Sequence, residues 1–291
     1  MRPRDLLDLA LLAALWGASF LFMRIGAPAF GPLALIELRV AIAAAFLLPL
    51  AAGGGRLPAL RAHAVPIAVT GLLSSALPFV LIAYAALSLS AGFMSLLNAT
   101  APLWGALVGW AWLKERPAPR RLAGLALGFA GVAVLAWPQA SFRPGGSGLA
   151  IAACLGAAVA YGVSASYARR ALGGVDALAT AAGSQLAAAA AVLPLAVAHW
   201  PARMPSAAQW MAVAMLGVGS TGIAYVLYFR LIARVGASRA ITVTFLVPVF
   251  AMLWGAVFLG ETVSVEMMLG GAVVLAGTAL ATDALRARRP G

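Results

Sequence analysis

The sequence has few of the side chains on which catalysis and metal binding usually depend. Its 291 residues include one cysteine, two histidines and eight carboxylates. Cys154 alone cannot form an intramolecular disulfide or a thiol-rich metal site. The histidines and carboxylates are scattered, so no set of ligands or of acid, base and nucleophile is grouped. The sequence therefore predicts no enzyme, no metal site and no cofactor.

Charge is also scarce. Only 10% of the residues are charged and 64% are hydrophobic, with a mean hydropathy of +1.00, whereas about a quarter of the residues of a soluble domain are charged. The sequence also has no Gly-x-x-x-x-Gly-Lys-Ser/Thr stretch, so ATP-driven pumping by this chain alone is not supported. This composition predicts a protein embedded in a lipid bilayer.

Ten apolar stretches of about 20 residues follow one another, and each is long enough to cross about 30 Å of hydrocarbon as a helix. They are continuously apolar, without the alternation of a transmembrane β-barrel. The predicted fold class is therefore all-α, with ten transmembrane helices. The predicted spans are 6–26, 32–52, 65–87, 91–113, 121–138, 147–168, 176–198, 207–228, 240–260 and 265–284.

The net charge of +12 is explained by where the cations fall rather than by a nucleic-acid partner. With the N-terminus inside, sixteen Lys and Arg fall on the cytoplasmic side, three (Arg24, Arg143 and Arg203) fall outside, and Arg39 lies within a span. This is the bias of an inner-membrane protein. We expect a multi-pass protein of a bacterial-type inner membrane, with both termini cytoplasmic and its first apolar segment retained as a span.

The two halves of the chain resemble each other. Gly71, Pro102 and Glu115 recur 146 positions later as Gly217, Pro248 and Glu261, and Gly124 and Gly131 recur as Gly270 and Gly277. Upstream the offset is 145, which pairs Trp16 with Tyr161 and Arg24 with Arg169. We predict two repeats, residues 1–140 and 146–286.

Each predicted repeat holds five spans, an odd number, so the second must be inverted relative to the first. Inverted repeats surround a substrate site near the bilayer midplane in many secondary transporters. Some channels and membrane enzymes also contain such repeats, and the pattern favours a transporter over both.

Several neutral polar and aromatic residues lie near the middle of the predicted spans. A cavity lined by such residues would suit a zwitterion or a similar small solute. The side-chain amides of Asn98 and Gln185 need hydrogen-bond partners when they lie inside the membrane. They either bind the solute or, alternatively, join helices to each other. The set is Trp16, Ser19, Asn98, Thr100, Tyr161, Ser164, Gln185, Ser220, Thr221, Tyr225, Thr242 and Thr244.

Two ionisable residues of the second span need separate interpretations. Glu37 is expected to reach the interface, whereas Arg39 is either functional or paired with helix-end carbonyls. Since no convincing titratable group is left at mid-depth, the sequence favours uniport over proton exchange. Pro78, Pro102 and Pro248 interrupt spans, either as hinges or as fixed bends that shape the cavity.

Glycines spaced by four residues favour close helix packing. Gly124 with Gly128, and Gly270 with Gly277, are expected to pack inside each repeat, with a dimer interface as the alternative. The protein is thus expected to be a monomer or a homodimer.

These residues resemble the EamA group of the drug/metabolite transporter superfamily. The resemblance covers about the whole chain and is carried by Trp16-Gly17-x-Ser19-Phe20 and by a proline thirteen residues before a glutamate, at Pro102 and again at Pro248. It departs from the group at Tyr161-Gly162, which replaces Trp-Gly, and at Gly260, which replaces Lys114.

The resemblance implies an alternating-access exporter of amino acids, most similar to exporters of aromatic and neutral ones. It adds support for Trp16, Asn98 and Tyr161 as cavity residues. Drug or metabolite efflux by proton antiport, or flipping of a lipid-linked substrate, are the alternatives. The predicted substrate-binding residues are Trp16, Ser19, Arg39, Pro78, Asn98, Tyr161, Gln185 and Tyr225.

Overall fold

A computed structural model describes residues 2–137, 140–142 and 146–282. Every regular element in these ranges is helical, which confirms the predicted all-α fold class. The helices are α1 (Pro3–Gly53), α2 (Leu57–Ala62), α3 (Ala64–Ala85), α4 (Ala91–Leu113), α5 (Pro119–Ala136), α6 (Gly148–Ala171), α7 (Ala177–Ala198), α8 (Ala207–Val235), α9 (Ala237–Ala240), α10 (Val243–Leu259) and α11 (Val265–Ala281).

Seven of these helices are long and apolar enough to cross a membrane: α1 and α3 to α8. Two further apolar helices, α10 and α11, have 17 residues each. Each lies within one of the last two predicted spans, which are longer. The chain is therefore a multi-pass membrane protein.

Helix α1 is 51 residues long and covers the first two predicted spans. Its backbone leaves the helical region at Gly31 (φ 72°, ψ 157°), where a residue without Cβ is not strained. Gly26 and Leu35 pack together across this break. The break therefore turns residues 3–30 and 32–53 into two separate arms.

Two helices widen into a π-helix at equivalent positions. The stretch Leu72–Ala76 lies in α3 and Met215–Ile223 lies in α8, 146 positions further on at its core. Pro78 lies two residues after the first stretch. Pro102 begins the second part of α4 after a break at residues 99–100, whereas Pro248 lies inside α10. π-Helical segments are often found at functional sites.

The most extensive helix contacts cross from one half of the chain to the other. At one crossing, a Cβ added to Gly17 of α1 would lie 2.7 Å from Cβ of Phe250 in α10. At the equivalent crossing, a Cβ on Gly162 of α6 would lie 2.7 Å from the backbone of Trp104 and Gly105 in α4. The positions on both sides of the two crossings are 145 or 146 apart. The two halves therefore interlock through matched contacts.

The glycines of α5 were expected to pack inside their own repeat, and this was wrong for Gly124. It packs against Gly277 and Ala281 of α11, in the other half. Gly131 also meets α11, at Val273 and Val274. Gly128 meets Leu103 of its own half but also lies against Gly277, and Gly270 meets Leu135 of α5, so the expectation was wrong for Gly270 and Gly277 as well. Because glycine lets two backbones approach closely, these residues close the pair formed by α5 and α11.

Some predicted features lie outside the described residues. Four of the cations in the predicted charge bias, Arg143, Arg286, Arg288 and Arg289, are among them, as are residues 283–286 at the end of the second predicted repeat.

Candidate functional site

A cavity of about 400 Å³ lies between the helices of the two halves. Helices α1, α3, α4, α6, α8 and α10 all contribute to its wall, together with Ile241. Its polar and aromatic lining residues are Trp16, Ser19, Phe20, Arg39, Ser74, Phe79, Ser95, Asn98, Tyr161, Ser220, Thr221, Tyr225 and Thr244.

Six of the eight predicted site residues line this cavity: Trp16, Ser19, Arg39, Asn98, Tyr161 and Tyr225. The other two, Pro78 and Gln185, are buried but are not among its lining residues. Gln185 is fully buried and donates from Nε2 to Oγ of Ser75 at 2.8 Å. In this structure it therefore joins helices, which is the alternative role of a buried amide.

Arg39 is 4% exposed and lies in the second arm of α1. Its Nε donates to Oγ1 of Thr221 at 3.0 Å, and its guanidinium carbon lies 3.5 Å from the centre of the Phe79 ring. A weak contact joins Nη1 to the Met23 sulfur at 3.9 Å. Neither the partner Thr221 nor Met23 is a helix-end carbonyl, so the proposed pairing with such carbonyls is not observed.

The hydroxyl of Thr221 is oriented by the π-helix of α8. It donates to the carbonyl of Leu216, five residues earlier, at 2.9 Å, and this spacing matches π-helical geometry. The Thr221 oxygen therefore faces Arg39 as an acceptor. The widened turn thus places a hydroxyl where Arg39 can reach it.

Two polar atoms at the cavity have no hydrogen-bond partner among the described residues: Oδ1 of Asn98 and Oγ of Ser220. Buried polar atoms are normally paired, and those that are not need an explanation such as a ligand or water. Asn98 lies at the last turn before the break in α4, and Ser220 lies in the π-helix of α8. Both residues therefore line the cavity with a polar atom that has no partner among the described residues.

The cavity's aromatic wall is built from equivalent positions. Trp16 of α1 packs on Tyr228, with ring centroids 5.2 Å apart, and its counterpart Tyr161 lies on α6. Tyr225 stacks on Phe229 at 5.9 Å with an interplanar angle of 7°. These rings give the site flat apolar surfaces with hydroxyl groups at two of them.

Ion pairs lie beyond the two ends of α4. At its start, Arg24 donates from Nε to Oε1 of Glu261 at 3.1 Å, and Oε2 of Glu261 accepts from the backbone N–H of Ala91 at 2.8 Å. Beyond its end, Arg169 donates to Glu115 at 2.9 Å. Each pair joins one half to the other, and the two are related by the offsets that relate the halves. Helix α4 would span about 34 Å if straight, so the pairs lie far apart.

The two ion pairs differ in exposure. The side chains of Arg24 and Glu261 are 30% and 12% exposed, and those of Arg169 and Glu115 are 57% and 50% exposed. Arg24 also donates from Nη1 to the carbonyl of Ala86 at 2.7 Å. The Arg24–Glu261 pair is thus part of a connected set of bonds, whereas the Arg169–Glu115 pair is solvated.

Sequence reasoning did not select several residues of the wall, among them Met23, Phe79 and Ile82. An apolar residue that faces a cavity cannot be distinguished from one that faces lipid by its type alone. Glu37 was expected at the interface, but it is 7% exposed, and its Oε2 has no partner among the described residues. It does not line the cavity.

Within the described residues, no group of three or more His, Cys, Asp and Glu is placed to hold a metal ion. The cavity itself contains one charged side chain among its lining residues, that of Arg39. Its chemistry is therefore that of binding by hydrogen bonds, aromatic faces and one cation.

Comparison with protein families gives two matches along the chain. The model of the EamA-like transporter family matches residues 7–137 and again residues 148–282.

Two relatives match over nearly the whole length. A probable terminal-alkyne amino-acid exporter of Streptantibioticus cattleyicolor is 31% identical over 97% of this chain and 94% of its own. An uncharacterized transporter of Bacillus subtilis is 26% identical over 99% of this chain and 94% of its own. A solved crystal structure aligns with a TM-score of 0.67 at 24% identity over 97% of both chains, which supports the fold.

Proposed function

Since this chain belongs to the EamA-like transporter family, we propose that it exports amino acids, above all aromatic and neutral ones, or similar small metabolites. The observation that carries the proposal is the cavity between the two halves. Its volume of about 400 Å³ is in the range of small-molecule sites, which are mostly apolar with a few placed polar groups. An amino acid suits such a site, because its charged groups can meet the polar residues and its side chain can pack on the apolar wall.

The named relative supports the same class of substrate. It is called a probable exporter of a terminal-alkyne amino acid, and a terminal alkyne is an apolar group. The aromatic wall of Trp16, Tyr161 and Tyr225 suits a somewhat larger side chain, because ring faces pack well on each other. The free Oδ1 of Asn98 suits a solute donor such as an ammonium group.

We propose alternating access as the mechanism, with ten spans arranged as two inverted repeats at residues 1–140 and 146–286. The matched crossings at Gly17 and Gly162 support this symmetry. In the proposal, the Arg24–Glu261 and Arg169–Glu115 pairs close opposite sides in turn. With both termini in the cytoplasm of a bacterial-type inner membrane, Arg24 and Glu261 face outward.

A transport assay with the full chain in proteoliposomes tests this function. We expect counterflow of radiolabelled L-phenylalanine, with competition by other neutral amino acids. Trp16→Ala and Asn98→Ala should each reduce flux about tenfold, because a lost ring contact or charge-assisted hydrogen bond is worth about 1.5 kcal/mol or more. Trp200→Ala is the matched control, because Trp200 is 48% exposed and away from the cavity.

No flux for any member of an amino-acid panel with the wild-type protein would contradict the proposed function. Wild-type flux in both cavity variants would instead remove the assignment of the site.

We propose uniport as the energetic mode, because the lining residues of the cavity include no carboxylate or histidine. Proton antiport is the second candidate, and the buried free oxygen of Glu37 favours it. An imposed pH gradient across the proteoliposome membrane separates the two. Uniport predicts flux that the gradient does not change, whereas antiport predicts gradient-driven flux that Glu37→Gln abolishes.

A further inference from the structure

The guanidinium of Arg39 is only partly used by the protein. It has five N–H donors. One is taken by Thr221 at Nε and one makes the long contact to Met23 at Nη1. No other hydrogen bond to Arg39 is made by the described residues. Three donors, including both at Nη2, are therefore left for something that enters the cavity.

The charge of Arg39 also lacks a counter-ion. No carboxylate of the described chain lies within salt-bridge distance of it, although ion pairs are made by Arg24, Arg56, Arg169 and Arg234. Burying a cation to 4% exposure within a membrane protein costs free energy, and such a cation is usually paired or functional. The Phe79 ring offsets part of this cost by a cation–π contact.

The arrangement of groups around Arg39 favours binding of an anion of a particular shape. Phe79 lies against the guanidinium, so the free donors point along the guanidinium plane, where a planar two-oxygen acceptor binds bidentately. The free hydroxyl of Ser220 is next in the chain to Thr221 and lines the same cavity. Because Arg39 is the single charged lining residue, the site suits one negative charge rather than a phosphate dianion.

The equivalent junction in the other half shows that the fold does not require this cation. There the residue equivalent to Arg39 by the offset of 145 is Ser184, and the next residue, Gln185, donates to Ser75 of the π-helix in α3, as Arg39 donates to Thr221 of the π-helix in α8. The Gln185 junction is neutral and is closed off from the cavity. The positive charge of Arg39 is therefore present at the junction that lines the cavity and absent from the Gln185 junction, which does not line it.

We propose that Arg39 binds the carboxylate of the transported solute, with Ser220 as a second donor. The cavity then accepts solutes that carry a free carboxylate and rejects their amides and amines. This inference rests on the proposed transport function, but binding of the carboxylate to Arg39 is tested separately from transport.

The binding test uses the full chain in detergent and follows its melting temperature against ligand concentration. The probes are 3-phenylpropionate and L-phenylalanine, which have a carboxylate, and L-phenylalaninamide and phenethylamine, which lack one. We expect the two carboxylates to raise the melting temperature and the other two not to. In Arg39→Gln, the apparent dissociation constant for both carboxylates should rise about tenfold or more, since charge-assisted hydrogen bonds are lost.

Three variants make the test specific. Arg39→Lys keeps the charge but not the planar fork, so it should bind with intermediate affinity. Ser220→Ala keeps Arg39 and should weaken carboxylate binding by a smaller factor. Arg61→Gln removes one exposed positive charge outside the cavity and should bind as the wild type does. If Arg39→Gln fails to fold, Arg39→Lys and Ser220→Ala still decide the outcome.

The proposal is overturned if the amide or amine stabilises the wild type as well as the acids do, if the acids do not stabilise it, or if Arg39→Gln and Arg39→Lys bind them unchanged. Flux in proteoliposomes separates this result from the proposed function. Arg39-dependent binding of acids without flux keeps the inference and contradicts transport. Flux of solutes without a carboxylate that does not depend on Arg39 keeps the proposed transport function and contradicts the inference about Arg39.

Discussion

Both halves of this protein place a long polar side chain against a π-helix, at positions that differ by one residue in register, and the two side chains have different surroundings. Arg39 meets Thr221 on the cavity wall, and Gln185 meets Ser75 away from it. The Arg39 junction has a charge and unused donors. The Gln185 junction is neutral and contributes a bond between helices, although Oε1 of Gln185 also has no partner among the described residues. Two similar halves can thus carry side chains of different charge where each packs against a π-helix.

The same contrast holds at the two ends of α4. The Arg24–Glu261 pair is connected to the backbone at Ala86 and Ala91, whereas the Arg169–Glu115 pair is at least half exposed on each side. Exposed pairs are typically worth below about 1 kcal/mol, and hydrogen bonds to a buried charge are worth about twice that or more. In this structure the Arg24–Glu261 pair is therefore expected to contribute more to stability than the Arg169–Glu115 pair.

Moving the cation from one junction to the other should have the largest effect. In the exchange variant Arg39→Gln with Gln185→Arg, we expect flux of L-phenylalanine to fall about tenfold or more, because Gln185 does not face the cavity. Flux and melting temperature of the exchange variant and of both single variants are compared with the wild type. Wild-type flux in the exchange variant would show that the two junctions are interchangeable.

Filling the two matched crossings should reduce stability by a similar amount at each. Gly17→Ala and Gly162→Ala place a methyl group 2.7 Å from the facing helix, and overpacking of this kind costs up to about 3 kcal/mol. The melting temperature in detergent measures the effect. Gly53→Ala is the control, because a Cβ there meets nothing within 4 Å. If only one crossing variant is destabilised, the symmetry of the crossings does not extend to their energetics.

Neutralising the ion pairs should give unequal results. Glu261→Gln should lower the free energy of unfolding by about 2 kcal/mol, because two charge-assisted bonds at a largely buried carboxylate are weakened. Glu115→Gln should cost less than about 1 kcal/mol. Double-mutant cycles with Arg24→Gln and Arg169→Gln isolate each pair. Equal coupling energies would remove the contrast between the two ends.

The smallest effect is expected at the turns before the two glutamates. Lys114 adopts a left-handed conformation (φ 60°), and its counterpart Gly260 has φ 64°. A residue with a Cβ is strained there by about 1 kcal/mol. Lys114→Gly should therefore raise the melting temperature slightly and Gly260→Ala should lower it. A lower melting temperature for Lys114→Gly would mean that the lysine side chain contributes more than its backbone costs.

Much of the candidate site was accessible from the sequence, because polar and aromatic residues are conspicuous in an apolar chain. Trp16, Asn98 and Tyr161 were identified in this way and line the cavity. Gln185 satisfies the same criterion but faces another helix. Residue type shows that a buried amide needs a partner and does not show whether the partner is a solute or a serine.

Helix boundaries were predicted less well where the backbone departs from an ordinary helix. Neither the break at Gly31 between the two arms of α1 nor the widening of α3 and α8 into π-helices was predicted from the sequence. These features depend on packing against other helices. Glu37 was misplaced for the same reason, since its burial comes from neighbours that are distant in sequence.

By itself the sequence determined that the chain is a helical membrane protein with two similar halves, because hydrophobicity and internal similarity are properties of local residue order. Helix packing determined that Arg39 faces a cavity with no counter-ion among the described residues, that Gln185 does not line this cavity, and that Gly124 packs across the halves. The reason is physical: burial and pairing depend on which helices meet, and those contacts join residues far apart in the chain.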